Sequence, residues 1–357
     1  MGNNKKDLED CGTSLWAKDQ DIQEETSKAL CGVCLSLNIA NMDEEKNEWL
    51  AQYYSPSKWN NRMDPGGVVD YHVNICTGYS KTTRKSSHCE LSVCYGEKKA
   101  KMDIFYPAQE NDDTAECVHE ESGSSAAVVL FVHGGYWQEG SRKIYSFVSE
   151  SWTKDGCVAA VVGYNLAPEA SLDQMVGEIQ SAVKYINTRF PKSRLFLCGH
   201  SAGAHLCAMM MVSDWSKDLS IPQAIHGMFL LSGVFDLVPI VSTYVNDALK
   251  LTEESAAQVS PQQILTKMSP TFVCLILVVM EEHGSPEFLR QAKEFVEILK
   301  SHKVQCCLLE LPGVDHFSMI ENMVNSDDLL CQEILKGVRN ITSAKSEKGV
   351  KVPDSGL

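Results

Sequence analysis

Unbroken apolar runs recur through the second half of the chain and just before it. They cover 126–133 (AAVVLFVH), 157–164 (CVAAVVGY), 194–199 (RLFLCG), 226–233 (HGMFLLSG), 272–280 (FVCLILVVM) and 304–311 (VQCCLLEL). Runs of this length without polar alternation predict strands buried on both faces. Helical stretches fall between or after them, near 173–189, 202–214, 286–301 and 327–339. Strands alternating with helices predict an α/β fold, a mostly parallel sheet with helices on both faces. Upstream, 90–106 reads as two strands around a turn at Gly96. Residues 43–55 carry Trp49, Leu50, Tyr53 and Tyr54 at helical spacing, and Pro56 stops that helix.

No internal repeat and no second domain shows in this pattern. A single domain is expected over 41–340, after a 1–40 extension that lacks a core of its own and is poorly ordered. Residues 109–126 are acidic and rich in Ser and Gly, which predicts a surface loop. Residues 341–357 read as a polar tail.

Composition narrows the function classes. The net charge is −15, which argues against nucleic acid or an anionic membrane as partner, since both need basic patches. No apolar stretch reaches the about 18 residues of a membrane span. The first residues, MGNNKKDLED, lack the apolar centre of a secretory signal, so a cytoplasmic location is expected. Gly2 invites a myristoylation reading, but Lys6 stands where that motif needs Ser or Thr. The 14 cysteines are scattered, several of them inside apolar runs, and read as small buried hydrophobes in a reducing compartment. Cys31 and Cys34 form a CxxC without the second ligand pair or βαβ context that a metal or redox site needs.

Three segments at the carboxyl ends of predicted strands carry the chemistry, and in an open parallel sheet that edge is where sites form. Gly199-His200-Ser201-Ala202-Gly203 follows a strand and opens a helix. This GxSxG context is the nucleophile elbow of the α/β-hydrolase fold. It exposes the Ser201 hydroxyl and aims the Ala202 N–H at the same point. His133-Gly134-Gly135-Tyr136-Trp137 follows the strand 126–132. Its glycines let backbone N–H groups approach a ligand, so Gly134 or Gly135 with Ala202 would form an oxyanion hole. His133 reads as a histidine that orients this loop. Tyr136 belongs to the motif and pocket, and Trp137 lines either pocket or core. Val314-Asp315-His316-Phe317 follows the last strand. His316 is placed to take the Ser201 proton, given the chain order serine, acid, histidine. His200 and His205 beside the elbow read as structural.

The segments HGGYW, GHSAGAH, SGVFDL, SPEF and VDHF, with YYSPSKW upstream, resemble arylformamidase, also called kynurenine formamidase. The resemblance covers about residues 43–340. YNLAPE at 164–169 is similar to a turn of the hormone-sensitive-lipase-like esterases. The resemblance implies an α/β-hydrolase fold with a small cap, here over 240–265. It implies hydrolysis of N-formyl-L-kynurenine to L-kynurenine and formate in tryptophan catabolism, by a Ser–Asp–His triad. It implies a small-molecule substrate, no cofactor and no metal, with a homodimer as a candidate assembly.

The chain departs from the family at one point. The triad Asp should precede SPEF, and that position is Gly284. Glu282 and, less directly, Glu281 lie close by as substitute acids, and Asp236 after the preceding strand is another. Asp315 is expected to point away from His316. Two further readings follow from the defect. One is a carboxylesterase on short acyl esters, and the other is a weakly active or inactive paralogue.

Overall fold

The computed structural model describes residues 42–108 and 127–343. The chain divides into two compact units, 1–48 and 49–357, and the second contains the sheet. The readings for 1–40, for the 109–126 loop and for the CxxC lie outside the described residues.

Eight strands form one sheet: β1 (Cys89–Cys94), β2 (Lys101–Phe105), β3 (Ala127–Val132), β4 (Val158–Gly163), β5 (Arg194–His200), β6 (Ile225–Leu231), β7 (Leu275–His283) and β8 (Cys306–Asp315). Their spatial order is β1-β2-β4-β3-β5-β6-β7-β8. The pairs β1–β2 and β2–β4 are antiparallel, and every later pair is parallel. Crossing of β3 and β4 in this order makes a topological switch at the centre of the sheet, beside β5.

The continuous apolar runs become strands buried on both faces, as double burial requires. Successive side chains point to opposite sides. On β3, Val128, Leu130 and Val132 join one core cluster, while Val129 and Phe131 join the other. Helix α1 (Met42–Tyr53) comes first in the chain; α2 (Val68–Ser86), α3 (Leu172–Arg189), α4 (Ala202–Met209), α5 (Pro286–Ser301) and α6 (Leu329–Ser343) flank the sheet. Ile179 and Val183 of α3, Leu206 of α4 and Phe295 of α5 fill the first cluster. Cys76 of α2 with Leu330 and Ile334 of α6 fills the second. Each fully buried aliphatic or aromatic side chain contributes roughly 1.5–3 kcal/mol. Helix α3 begins with a capping box between Ser171 and Gln174. Helix α5 begins with Pro286 at its first turn.

Helix α2 has no counterpart in the sequence pattern. Its buried positions are Val68, His72, Cys76, Ser80 and Thr83, spaced as one helical face, yet most are polar. They are buried because each finds a partner. The Ser80 hydroxyl donates to the Ile144 carbonyl at 2.6 Å and accepts from the Phe147 N–H at 3.1 Å. A helix held by hydrogen bonds leaves no apolar stripe to read. Three strand and helix ends also differ from expectation. Strand β7 runs on to His283, β8 to Asp315, and α6 to Ser343, so the polar tail begins later than 341. The expected cap segment forms four short helices, Val238–Ser242, Asn246–Leu249, Glu253–Gln258 and Pro261–Leu265. Among the described residues no helix is long and apolar enough to cross a membrane.

A buried charge cluster fixes the antiparallel edge. Asp103 of β2 is fully buried. It accepts from the Arg84 guanidinium of α2, from Arg142 Nε at 3.1 Å and from the Ser92 N–H at 2.7 Å. Removing one member of such a cluster strands the others without a counter-charge, at a cost of about 3–5 kcal/mol. Asp103→Ala is expected to lower unfolding free energy by that amount in urea titrations. A loss below about 1 kcal/mol would show that the cluster contributes no more than a surface pair.

Candidate active site

Strand β5 ends at His200 and α4 begins at Ala202, so Ser201 alone makes the turn, at φ 56° and ψ −119°. A non-glycine residue at positive φ is strained by on the order of 1–3 kcal/mol. The turn is held on both sides. The Ser201 N–H donates to the Leu231 carbonyl of β6 at 2.8 Å, and its carbonyl accepts from the His205 N–H at 3.1 Å. A Cβ on Gly199 would sit 2.3 Å from the Gly203 carbonyl oxygen. A Cβ on Gly203 would sit 2.0 Å from the Val132 carbonyl oxygen at the end of β3. Only glycine at both positions lets the turn close against β3.

That closure brings the loop after β3 to the serine. A Cβ on Gly134 would lie 3.0 Å from both the Ser201 Cβ and the His200 carbonyl oxygen. Gly135, at φ 111°, turns the chain so that the Gln138 and Glu139 N–H groups return to its carbonyl. The backbone of this loop therefore lies against the Ser201 turn, within van der Waals reach of its Cβ.

The aromatic and histidine side chains of these motifs take different places. Ser201, His316 and Tyr136 line one cavity of about 300 Å³, with Tyr145, Tyr244 and Phe317 among its walls. The Tyr136 hydroxyl donates to the Tyr54 carbonyl at 2.5 Å. Trp137 is fully buried and is not in the cavity wall. Its indole N–H donates to His205 Nδ1 at 3.1 Å, and His205 Nε2 donates to the Val259 carbonyl at 2.7 Å. His133 is likewise behind the wall, not in it. It stacks between Tyr164, 4.5 Å away, and Tyr145, 5.9 Å away, with Nδ1 on the Gly134 carbonyl at 2.8 Å. Of the two places open to Trp137 it takes the core, and His133 packs on the loop that it was expected to orient rather than in the pocket. Both are packing residues that hold the loop and the elbow.

His316 follows β8 directly and is 5% exposed. Phe288 and Phe317 meet its ring edge-on at 5.3 and 5.4 Å, and His200 lies 4.6 Å away. Its Nδ1 is 2.7 Å from the Ser232 hydroxyl and 3.4 Å from Glu281 Oε1. Asp315 turns away from it, as expected. The Arg62 guanidinium donates to both Asp315 oxygens, at 2.6 and 3.2 Å, and also to Glu321. Burial alone would raise the Asp315 carboxyl. Arg62 and the N–H groups of Ser318 and Phe317 outweigh it and hold the group below the usual carboxylate range.

Neither substitute acid favoured by the sequence reaches His316. Glu282 is exposed, and its carboxylate accepts from the Gly313 N–H at 2.7 Å. The reason is strand alternation: β7 continues through 281–283, so neighbouring residues point to opposite faces. Asp236 accepts from the Val238 N–H at 3.1 Å and from the Gln263 amide at 3.0 Å, which ties it to the cap. The residue beside His316 that sequence reasoning missed is Ser232. Its only signal was its place immediately after the apolar run of β6. Among the described residues no cluster of His, Cys, Asp and Glu could hold a metal ion.

Three histidines packed around the elbow are buried without a counter-charge. Burial pushes His133 and His205 down to about 4. Burial first, and the neighbouring His316 and His72 second, push His200 well below its ordinary value. Folded-state values below the unfolded ones mean that the unfolded chain binds protons that the folded chain refuses. The stability they contribute is complete above about pH 6.5 and is lost as pH falls toward about 4. Between pH 7 and 5 the unfolding free energy is expected to fall by up to about 1.4 kcal/mol per pH unit for each histidine, and the urea midpoint with it. A midpoint that stays level across that range contradicts the neutral assignment.

Comparison with known proteins completes the description. Residues 129–320 match a family described as alpha/beta hydrolase fold. The chain is 37% identical over 298 residues to kynurenine formamidase of Salmo salar, covering 82% of this chain and 97% of that one. It is 35% identical to kynurenine formamidase of Danio rerio, covering 79% and 93%. An esterase from Pyrobaculum calidifontis superimposes with a TM-score of 0.58 at 16% identity, over 84% of this chain and 97% of that one, a likeness of fold alone. With the sheet order, the serine turn and these identities together, the chain belongs to the kynurenine formamidase family of α/β hydrolases.

Proposed function

We propose that this protein hydrolyses N-formyl-L-kynurenine to L-kynurenine and formate, a step of tryptophan catabolism, with Ser201 as nucleophile and His316 as base. The observation that carries the reading is the shared cavity. The strained Ser201 turn, the Gly134–Gly135 loop and His316 meet there, in a chain 37% identical to a kynurenine formamidase over nearly that protein's whole length. The aromatic side chains Tyr136, Tyr145, Tyr244 and Phe317 in the wall suit an aryl ring.

The reaction runs in two halves. Ser201 Oγ attacks the formyl carbon while His316 Nε2 takes the hydroxyl proton. The oxyanion settles between the N–H of Ala202 and that of Gly134 or Gly135, each such donor supplying roughly 2.7–4 kcal/mol. The imidazolium then gives its proton to the aniline nitrogen, the C–N bond breaks, and L-kynurenine leaves. Water, deprotonated by His316, attacks the formyl-enzyme; the C–Oγ bond breaks, the imidazolium returns its proton to Ser201 Oγ, and formate leaves. An arylamine leaves more readily than an alkylamine because its lone pair is delocalised into the ring. The same reading sets this chemistry in a reducing compartment, the cytoplasm or nucleus. In its favour, Cys76, Cys157, Cys198, Cys207 and Cys331 are buried free thiols.

Formate release from N-formyl-L-kynurenine tests the proposal. Ser201→Ala and His316→Ala are each expected to lower kcat by on the order of 10⁴–10⁶-fold. Release no faster than in buffer, with p-nitrophenyl acetate still turned over, would sink the formamidase reading and leave a short-chain esterase. Gly134→Ala is expected to lower kcat by about 10²-fold or more, because its Cβ would press on Ser201 and His200. An unchanged kcat in that variant would remove this loop from the oxyanion site.

A further inference from the structure

We propose that Glu281, acting through the hydroxyl of Ser232, is the acid that orients and charges His316, and that residue 284 is glycine because the Glu281 carboxylate occupies the space of its side chain. The inference rests on the reading of Ser201 and His316 as nucleophile and base.

Glu281 is a carboxylate in an unusual place. It is 1% exposed, two residues before the end of β7. Its Oε1 faces the Ser232 hydroxyl at 2.8 Å and His316 Nδ1 at 3.4 Å. Its Oε2 has no hydrogen-bond partner among the described residues. A buried ionisable group with an unsatisfied oxygen is costly to keep. A histidine that becomes an imidazolium during the reaction gives it a counter-charge at the moment that charge is needed.

Hydrogen-bonding capacity fixes where the protons lie. An ionised carboxylate only accepts, so the Ser232 O–H donates to Glu281 Oε1. The Ser232 oxygen is then free to accept, and His316 Nδ1–H donates to it across 2.7 Å. His316 is thereby held with Nδ1 protonated, which leaves the Nε2 lone pair to take the Ser201 proton. Ser232 sits at φ 45° immediately after β6, a conformation that aims its hydroxyl between the two partners. It is a positioning residue that acts through His316.

Gly284 completes the arrangement. The β7–β8 pairing shifts register between Glu281 and His283, which brings residue 284 back onto the Glu281 side chain. A Cβ at 284 would lie 2.8 Å from Glu281 Cγ, 2.9 Å from Cδ and 2.9 Å from Oε1. A side chain at 284 would therefore displace the Glu281 carboxylate from its present place. The position that the family resemblance assigns to an aspartate and the position that Glu281 fills are the same volume beside His316. The other titratable groups around His316 do not compete. His200 is kept neutral by burial, Asp315 is held by Arg62, and His72 meets Phe317 with its Nδ1 on Glu321.

The test is the rate at which a fluorophosphonate probe modifies Ser201 in the full-length chain, measured from pH 5 to 9. The probe reads the serine–histidine pair whatever acyl group the enzyme takes. A protein that is labelled but releases no formate loses the formamidase reading and keeps this one. Glu281→Gln is expected to slow labelling by on the order of 10³–10⁴-fold. Its acidic limb should move to lower pH by about 1 unit or more, since the imidazolium loses its counter-charge. Ser232→Ala should slow labelling by about 10–10²-fold and shift the limb the same way by less. Glu282→Gln should match the wild type. The double variant Glu281→Ala/Gly284→Asp should regain at least about tenfold over Glu281→Ala, by returning a carboxylate to the same space. Glu281→Gln with wild-type rate, or with a slow rate and an unmoved limb, overturns the proposal, as does a double variant no faster than Glu281→Ala. A wild-type chain that the probe does not label overturns both this inference and the reading beneath it.

Discussion

The contact on which the site depends is the approach of the Ser201 turn to the end of β3. The chain leaves β5, reverses at a single residue and enters α4 with Gly203 lying directly on the Val132 carbonyl. Two parallel strands and a helix are pinned together there by backbone alone. The loop after β3 can reach Ser201 only because that contact is so close. The positive φ at Ser201 is the strain that results, and the surrounding hydrogen bonds to Leu231 and His205 hold it.

The remaining site groups arrive by the same logic of parallel strands. Ser201, Ser232, Glu281 and His316 stand at or near the carboxyl ends of β5, β6, β7 and β8, four neighbours in the sheet. Pairing in register brings residues that are 115 positions apart in the chain, Ser201 and His316, to one cavity. Polar contacts outside the sheet then fix the side chains. Arg62 holds Asp315 and Glu321, Glu321 holds His72, and His72 meets the Tyr145 hydroxyl at 3.0 Å. From α5, Gln291 joins the Tyr54 hydroxyl to the backbone of Phe235 and Asp236. These links fasten α2 to the site without an apolar stripe, and they add polar anchors to the apolar face of α5.

Buried neutral histidines are the other constraint. His133, His200 and His205 are each embedded in the packing around the elbow, and each serves through one hydrogen-bond tautomer rather than through charge. His205 accepts from Trp137 on one nitrogen and donates to Val259 on the other, so it joins the motif loop to the cap. This explains why a motif with three histidines nearby leaves one, His316, beside a carboxylate.

Much of this was legible from the sequence. Double-faced burial writes itself as unbroken apolar runs, so the six parallel-region strands and their helices were readable, and strand–Gly-x-Ser-x-Gly–helix has few other uses. The turn-bound residues Ser201, Gly134, Gly135 and His316 were readable for the same local reason. Helix α2 was not, because its buried face is held by hydrogen bonds to distant residues rather than by apolar area. The choice between Glu281 and Glu282 was not, because it turns on how far β7 continues before it bends. One residue more or less of extended chain sends the side chain to the opposite face. The places of Trp137 and His133 behind the cavity wall, and of Ser232 between Glu281 and His316, depend on which strands lie side by side. Local sequence determined the elements and the turn that carries the serine. Only the packing of the sheet decided which acid faces the histidine, since that contact joins three strands whose residues share no local pattern.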